Sequence, residues 1–327
     1  MTADASGEAP SNEAPSPETP SLETLALETL ALETLVPPEP VRRAEVTSAD
    51  GQRLHVEIHG PQDPVAPTVV LIHGWTCSIP FWAPVIHALR GELRVVAYDL
   101  RGHGQSPPAA PGGCSVEALA DDLEAVLDHV LPPDQQAVLA GHSMGGMAIM
   151  AAAPRESVLS RTGGVLLAST GSANLITDAL AVPFAAFMPA LVTLQHWLLT
   201  SAAPLGPFGH LTRPLLSYLT LGPGASAELE AANAAIIQAC DRRARGAWGR
   251  VLTGLDVTAG VRRLDVPAHV LVGTADRLTP PGHARRVARL LPQLAGLTEL
   301  PGIGHMTPLE APGVVAGLFR KLAARAG

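Results

Sequence analysis

The sequence predicts an α/β protein, a mostly parallel, doubly wound sheet with a helical cap inserted after the sixth strand. Three observations predict it. Short apolar runs alternate with helix-length segments from residue 53 to 168 and again from 268 to 324, the rhythm of βαβ units and a parallel sheet. Residues 172–250 lose that rhythm and read as helices broken by Pro and Gly, as an insertion over a sheet would. A Gly-x-Ser-x-Gly turn also joins an apolar run to a helix near the centre of the chain.

The elements follow in order. Residues 1–20 are rich in Pro, Ser, Glu and Ala and predict disorder. Leu22–Ala26, Leu27–Ala31 and Leu32–Val36 then repeat one five-residue unit. On a helix each repeat steps by about 140°, so the leucines spread around all faces and make no stripe. Pro37, Pro38 and Pro40 close this tail, and the folded part is expected to start near Ala44. The expected organisation is a low-complexity tail over 1–44, a first core part over 45–171, a helical cap over 172–250 and a second core part over 251–327. Removing residues 1–40 is expected to leave activity intact.

Five strands show before the insertion: Arg53–His59 by alternation, and Thr68–His73, Leu93–Tyr98, Gln136–Ala140 and Gly164–Ala168 as apolar runs. Helices are predicted over Pro80–Arg90, from a Ser115 cap to Val130, and over Ser143–Ala153. After the insertion come a strand at Ala268–Gly273, a helix at Gly282–Leu291, a strand at Leu297–Leu300 and a last helix near Leu309–Ala324.

Composition narrows the function. Hydrophobic residues make up 47% of the chain and aromatics 3%, so the core must be built mainly from Ala, Val and Leu. The net charge is −8, but residues 1–45 hold nine acids and two bases while the rest holds 21 acids and 20 bases. The body is near neutral and predicts no nucleic-acid partner. Cys77, Cys114 and Cys240 form no disulfide framework or metal pattern, which fits a cytoplasmic location. Met1–Pro20 lacks the basic and apolar regions of a signal peptide. From Ala179 to Thr212 there is no charged residue. Pro183 and Pro189, with Gln195 and His196, argue against a membrane span there and for a buried or lipid-touching cap helix.

Gly141-His142-Ser143-Met144-Gly145 carries the chemistry. A strand before and a helix after it are the context of a nucleophile elbow, where glycines on both sides permit the turn and present the serine. A base must meet it. His305 stands in Gly302-Ile303-Gly304-His305-Met306, between the last strand and the last helix. Asp276 follows the Ala268–Gly273 strand, on the sheet rim where parallel sheets place their sites. Asp265 and Asp256 precede that strand, and Ser169–Ala173 has no carboxylate. The oxyanion donors are expected to be the N–H groups of Met144 and of Trp75, in His73-Gly74-Trp75-Thr76.

His73-Gly74-Trp75, the segment Asp99-Leu100-Arg101-Gly102-His103-Gly104-Gln105-Ser106, the elbow, and Asp276 with Gly304-His305 stand in one order. Together, over about residues 45–327 without the cap, they make the chain resemble the capped bacterial branch of the α/β-hydrolase superfamily. That branch holds carboxylesterases, haloperoxidase-like esterases and epoxide hydrolases. The resemblance implies that Asp99 and His103 shape a loop. Serine at the elbow departs from the aspartate of epoxide hydrolases and haloalkane dehalogenases and the cysteine of dienelactone hydrolases.

The expected function is hydrolysis of carboxylic esters, extending to thioesters or lactones, of hydrophobic small molecules through an acyl-enzyme. Ser143 is the expected nucleophile, His305 the base and Asp276 its orienting acid, with no metal or cofactor. Trp75, His142, Phe184, Phe187, Met188 and Trp197 are the expected substrate contacts, and the apolar cap is a candidate for peripheral membrane contact. Perhydrolysis and acyl transfer use the same triad. A non-catalytic binder on this fold is a third reading, opposed by the presence of all three residues.

Overall fold

The computed structural model describes residues 32–63, 66–175, 179, 197, 200–202 and 212–326. Its centre is one eight-stranded sheet: β1 (Arg42–Thr47), β2 (Arg53–His59), β3 (Thr68–Ile72), β4 (Arg94–Tyr98), β5 (Ala137–His142), β6 (Thr162–Ala168), β7 (Ala268–Gly273) and β8 (Leu294–Leu300). The order is β1-β2-β4-β3-β5-β6-β7-β8. β1 runs antiparallel to β2 and β2 to β4, and every other pairing is parallel.

Both faces are covered, which is why β3, and β4 after Arg94, read as unbroken apolar runs. Val69 and Leu71 point into one core with α1 (Ala83–Leu89) and α11 (Pro312–Ala326), whose Ile86 and Phe319 they join. Val70 and Ile72 point into the other core, with Leu123 of α2 (Val116–Val130), Met147 of α3 (Met144–Ala152) and Val287 of α9 (Pro281–Leu290). Ser115 caps α2 as expected, its Oγ accepting from Ala118 N at 3.0 Å. α4 (Glu156–Leu159) leads into β6. Between β6 and β7 the described residues form α5 (Arg213–Thr220), α6 (Ala227–Ala239), α7 (Arg242–Gly254) and α8 (Thr258–Val261). α10 (Thr307–Glu310) precedes α11.

The structure moves some sequence boundaries. Ordered structure begins before Ala44: a 3₁₀ turn at Leu32–Leu35 packs Leu35 on the α1 core, and β1 starts at Arg42. β1 buries Val46 alone among its six residues, so no apolar run announced it. It covers β2, which is therefore not an edge strand, and His59 is buried. The predicted Pro80–Arg90 helix is a 3₁₀ turn at Ile79–Trp82 followed by α1. Among the described residues no helix is long and apolar enough to cross a membrane. Most of the charge-free stretch 179–212 lies outside them.

Candidate active site

β5 ends in the elbow. Ser143 adopts φ +50° and ψ −116° between the strand and α3, a region that costs a non-glycine residue about 1–3 kcal/mol. Its surroundings hold the turn. Ser143 N donates to the Ala168 carbonyl at 3.0 Å, and its carbonyl accepts from Thr170 Oγ1 at 2.7 Å. The flanking glycines are required by space: a Cβ on Gly141 would run into the Gly145–Gly146 backbone, and one on Gly145 into the Ile72 carbonyl. Met144 is the first residue of α3, so its N–H has no partner within the helix and sits at the positive end of the dipole.

His305 lies on the loop between β8 and α10. Its Nδ1 is 2.9 Å from Asp276 Oδ2 and 3.2 Å from Thr279 Oγ1. Asp276 follows β7, so it stands at the same C-terminal rim of the parallel strands as the elbow after β5. Its Oδ1 accepts from Leu278 N at 2.9 Å and Thr279 N at 2.8 Å, and its Oδ2 accepts from Thr279 Oγ1 at 2.9 Å. The carboxylate is thus fixed in rotation before it meets the imidazole. Both residues are buried.

His142, immediately before Ser143, joins the elbow to the loop that carries His305. Its ring packs between Phe81 and His305, with centroids 4.4 and 4.8 Å away. Its Nε2–H donates to the His305 carbonyl at 3.0 Å. Burial, reinforced by the neighbouring His305, pushes its pKa well below the usual histidine value and keeps the ring neutral. The loop after β3 crosses directly over the elbow. A Cβ built on Gly74 would sit 2.7 Å from His142 Nδ1 and 3.0 Å from Ser143 Cβ. Trp75 follows, its indole Nε1–H donating to the Arg245 carbonyl on α7 at 3.0 Å, which ties this loop to the inserted helices.

Comparison with known proteins agrees with this architecture. The sequence profile described as "Alpha/beta hydrolase family" matches residues 69–318. The chain belongs to the alpha/beta hydrolase family. The bifunctional esterase/perhydrolase DCH of Acinetobacter calcoaceticus is 27% identical over 283 residues, 80% of this chain and 93% of that protein. RutD of Stutzerimonas stutzeri, named as a carbamate hydrolase, is 37% identical over 94 residues, 29% of this chain; the match spans about a third (35%) of RutD's length. Among solved structures, a thermophilic esterase from Thermogutta terrifontis superposes with a TM-score of 0.68 at 25% identity, covering 88% of this chain and 99% of that one.

Within this alpha/beta hydrolase the Asp99–Ser106 segment shapes loops, as its resemblance implied. Asp99 accepts from Ile79 N and Gln105 N, both at 2.8 Å, and burial pushes its carboxyl up to about 6. His103 Nε2 accepts from Thr76 N at 3.3 Å, which holds Thr76 at φ +64° in the loop after β3. His73 Nε2 accepts from Leu100 N at 3.0 Å.

The expected substrate contacts divide. His142 is 1% exposed and packs behind His305 instead of forming an open pocket wall. Phe184, Phe187 and Met188 lie outside the described residues. Trp197 is 53% exposed. A cleft of about 270 Å³ elsewhere is lined by Pro37–Pro40, Arg43, Glu57 and Asp99 among others, and by none of Ser143, His305 or Trp75. Among the described residues no three His, Cys, Asp or Glu side chains group as metal ligands would. Sequence reading missed Thr279 as the partner of both Asp276 and His305. Its signal was slight, a hydroxyl three residues after a loop aspartate, where local side-chain turns form.

Proposed function

We propose that this alpha/beta hydrolase is a serine hydrolase that cleaves carboxylic esters of hydrophobic small molecules through an acyl-enzyme. The observation that carries the reading is the 2.9 Å pairing of His305 Nδ1 with Asp276, on the rim where the strained Ser143 elbow opens. Asp276 fixes the tautomer, leaving His305 Nε2 to accept the Ser143 proton as Oγ attacks the ester carbonyl. The Met144 and Trp75 N–H groups hold the oxyanion. The alcohol leaves with the proton from His305, and water, deprotonated by the same imidazole, hydrolyses the acyl-serine.

The charge-free 179–212 stretch supports an apolar acyl pocket, and the three free cysteines suit a reducing compartment such as the cytoplasm. The deciding experiment is p-nitrophenyl ester hydrolysis by the wild type and Ser143→Ala, across chain lengths. Activity lost in the variant and rising from acetate to octanoate is expected. Full activity in the variant would remove the reading, and a preference for acetate would remove the apolar pocket.

The similarity to an esterase/perhydrolase over 93% of that protein favours a second reading. There, hydrogen peroxide replaces water at the acyl-enzyme and the product is a peracid. Peracid formation from an ester and peroxide, lost in Ser143→Ala, is its signature.

A further inference from the structure

Glu310 is an ionisable group on the base side of the site that the reaction above does not use. It ends α10, five residues after His305. Its Oε2 accepts from Gly222 N at 2.7 Å, and its two oxygens accept from Gly304 N at 3.1 and 3.0 Å. Gly222 follows α5 in the inserted segment, and Gly304 directly precedes His305. One carboxylate therefore holds two backbones that belong to different parts of the chain.

Three further observations show that the two backbones are built to meet. The Thr220 carbonyl, at the end of α5, accepts from His305 N at 2.8 Å and Met306 N at 3.2 Å. Thr220 Oγ1 accepts from Asn233 Nδ2 on α6 at 2.8 Å, so two inserted helices stand behind that carbonyl. Both glycines are sterically required: a Cβ on Gly304 would strike the Leu221–Gly222 backbone, and one on Gly222 would strike the Gly302 carbonyl. The base's own N–H and that of its predecessor are both committed to this junction.

We propose that Glu310 is a positioning residue, whose carboxylate clamps the inserted helices to the loop that carries His305 and so fixes the imidazole for proton transfer. The proposal rests on the reading of His305 as the base. The clamp is tightest in the ionised form, because N–H bonds to a carboxylate are charge-assisted and stronger than those to a neutral carboxyl. Burial pushes the Glu310 carboxyl up to about 7, against the N–H bonds from Gly222 and Gly304 that favour ionisation, and the Asp276 charge adds to the rise. The clamp is therefore stronger above about pH 7 and weaker below it. The charged neighbour that acts on it is Asp276 after β7, and His305 lies five residues before it. From residues 214–227, from α5 to the start of α6, the titratable group is Tyr218, whose ring lies under Arg277.

The test compares the wild type with Glu310→Gln, which keeps size and removes charge. Fluorophosphonate labelling of Ser143 and kcat/KM for a p-nitrophenyl ester are followed from pH 5.5 to 9. We expect kcat and labelling rate to be roughly tenfold lower in the variant at pH 8.5, with KM within about twofold. The gap should close toward pH 5.5, where the wild-type clamp is protonated too. A purely structural role would lower the variant's rate relative to the wild type by the same factor at every pH, and such parallel profiles, or equal rates at pH 8.5, would overturn the clamp. A wild type that does not label at Ser143 would instead overturn the serine-hydrolase reading and this proposal with it. A measurement independent of the variant's folding is the amide resonances of Gly222 and Gly304 in the wild type. They should titrate together near pH 7, and unmoved resonances would overturn the proposal.

Discussion

Asp276 Oδ2 and His305 Nδ1 lie 2.9 Å apart, and Thr279 Oγ1 bridges the same pair at 2.9 and 3.2 Å. The carboxylate is held by Leu278 and Thr279 N–H groups as well, so replacing it changes chemistry more than shape. In Asp276→Asn the amide keeps the size but offers N–H where an acceptor is needed, and the imidazole turns to the wrong tautomer. The expected result is a kcat loss of roughly 10³–10⁴ with KM and melting temperature little changed. Steady-state ester hydrolysis checks it, and a variant retaining a tenth of the activity would contradict the assignment.

Gly74 gives a second handle. Its backbone passes over the elbow so closely that an alanine methyl would lie 2.7 Å from His142 Nδ1 and 3.0 Å from Ser143 Cβ. The His142 ring cannot yield, being wedged between Phe81 and His305, so the loop must lift and carry Trp75 N–H with it. Gly74→Ala is expected to cost about 10² in kcat, the scale of a lost oxyanion donor, while the protein stays folded by circular dichroism. Parent-like turnover would place the oxyanion donor elsewhere.

These two sites show how far sequence reached. The elbow, Asp276 and His305 were legible because each lies beside a buried strand whose apolar run marks its end, and the parallel rhythm puts those ends on one rim. Ser115 was legible because a cap is a local interaction. β1 was not, since five of its six side chains escape full burial and it has no apolar run to mark it, although it pairs with β2 across a five-residue turn. The roles of Thr220, Asn233 and Glu310 were not legible either. They depend on two loops over 80 positions apart touching through glycines, and nothing local encodes that.

Removing the segment before β1 was expected to leave activity intact, and the structure gives part of that segment a role in stability. Leu35 packs on the α1 core, Pro38 is buried, and the Val36 carbonyl accepts from His87 Nε2–H at 3.0 Å. Deleting residues 1–31 removes none of these contacts, whereas deleting 1–40 removes them all. The longer deletion is expected to lower the melting temperature by about 2–6 °C relative to the shorter one, the scale of 1–2 kcal/mol in a chain of this size. Equal melting temperatures by calorimetry would show that the turn contributes nothing.

Glu57 sets an acid limit on stability. It sits on β2 between two histidines of the same face, with His55 Nε2 at 3.2 Å and His59 Nε2 at 3.4 Å, and Arg43 Nε at 3.7 Å. Burial alone would raise its pKa, but the hydrogen bond from His55 and the close approach of the buried His59 outweigh it and lower the value from 4.5 to about 2. The folded pKa lies below the unfolded one. The stabilisation is therefore complete above about pH 4.5 and is lost as the pH falls toward 2. Glu57→Gln removes the charge and leaves the buried His59 facing an amide. At pH 7 the variant is expected to be about 1–3 kcal/mol less stable in urea unfolding, and the gap should narrow steadily between pH 4.5 and 2. A gap that stays constant over that window, or is absent at pH 7, would mean that the histidines do not hold Glu57 as a carboxylate.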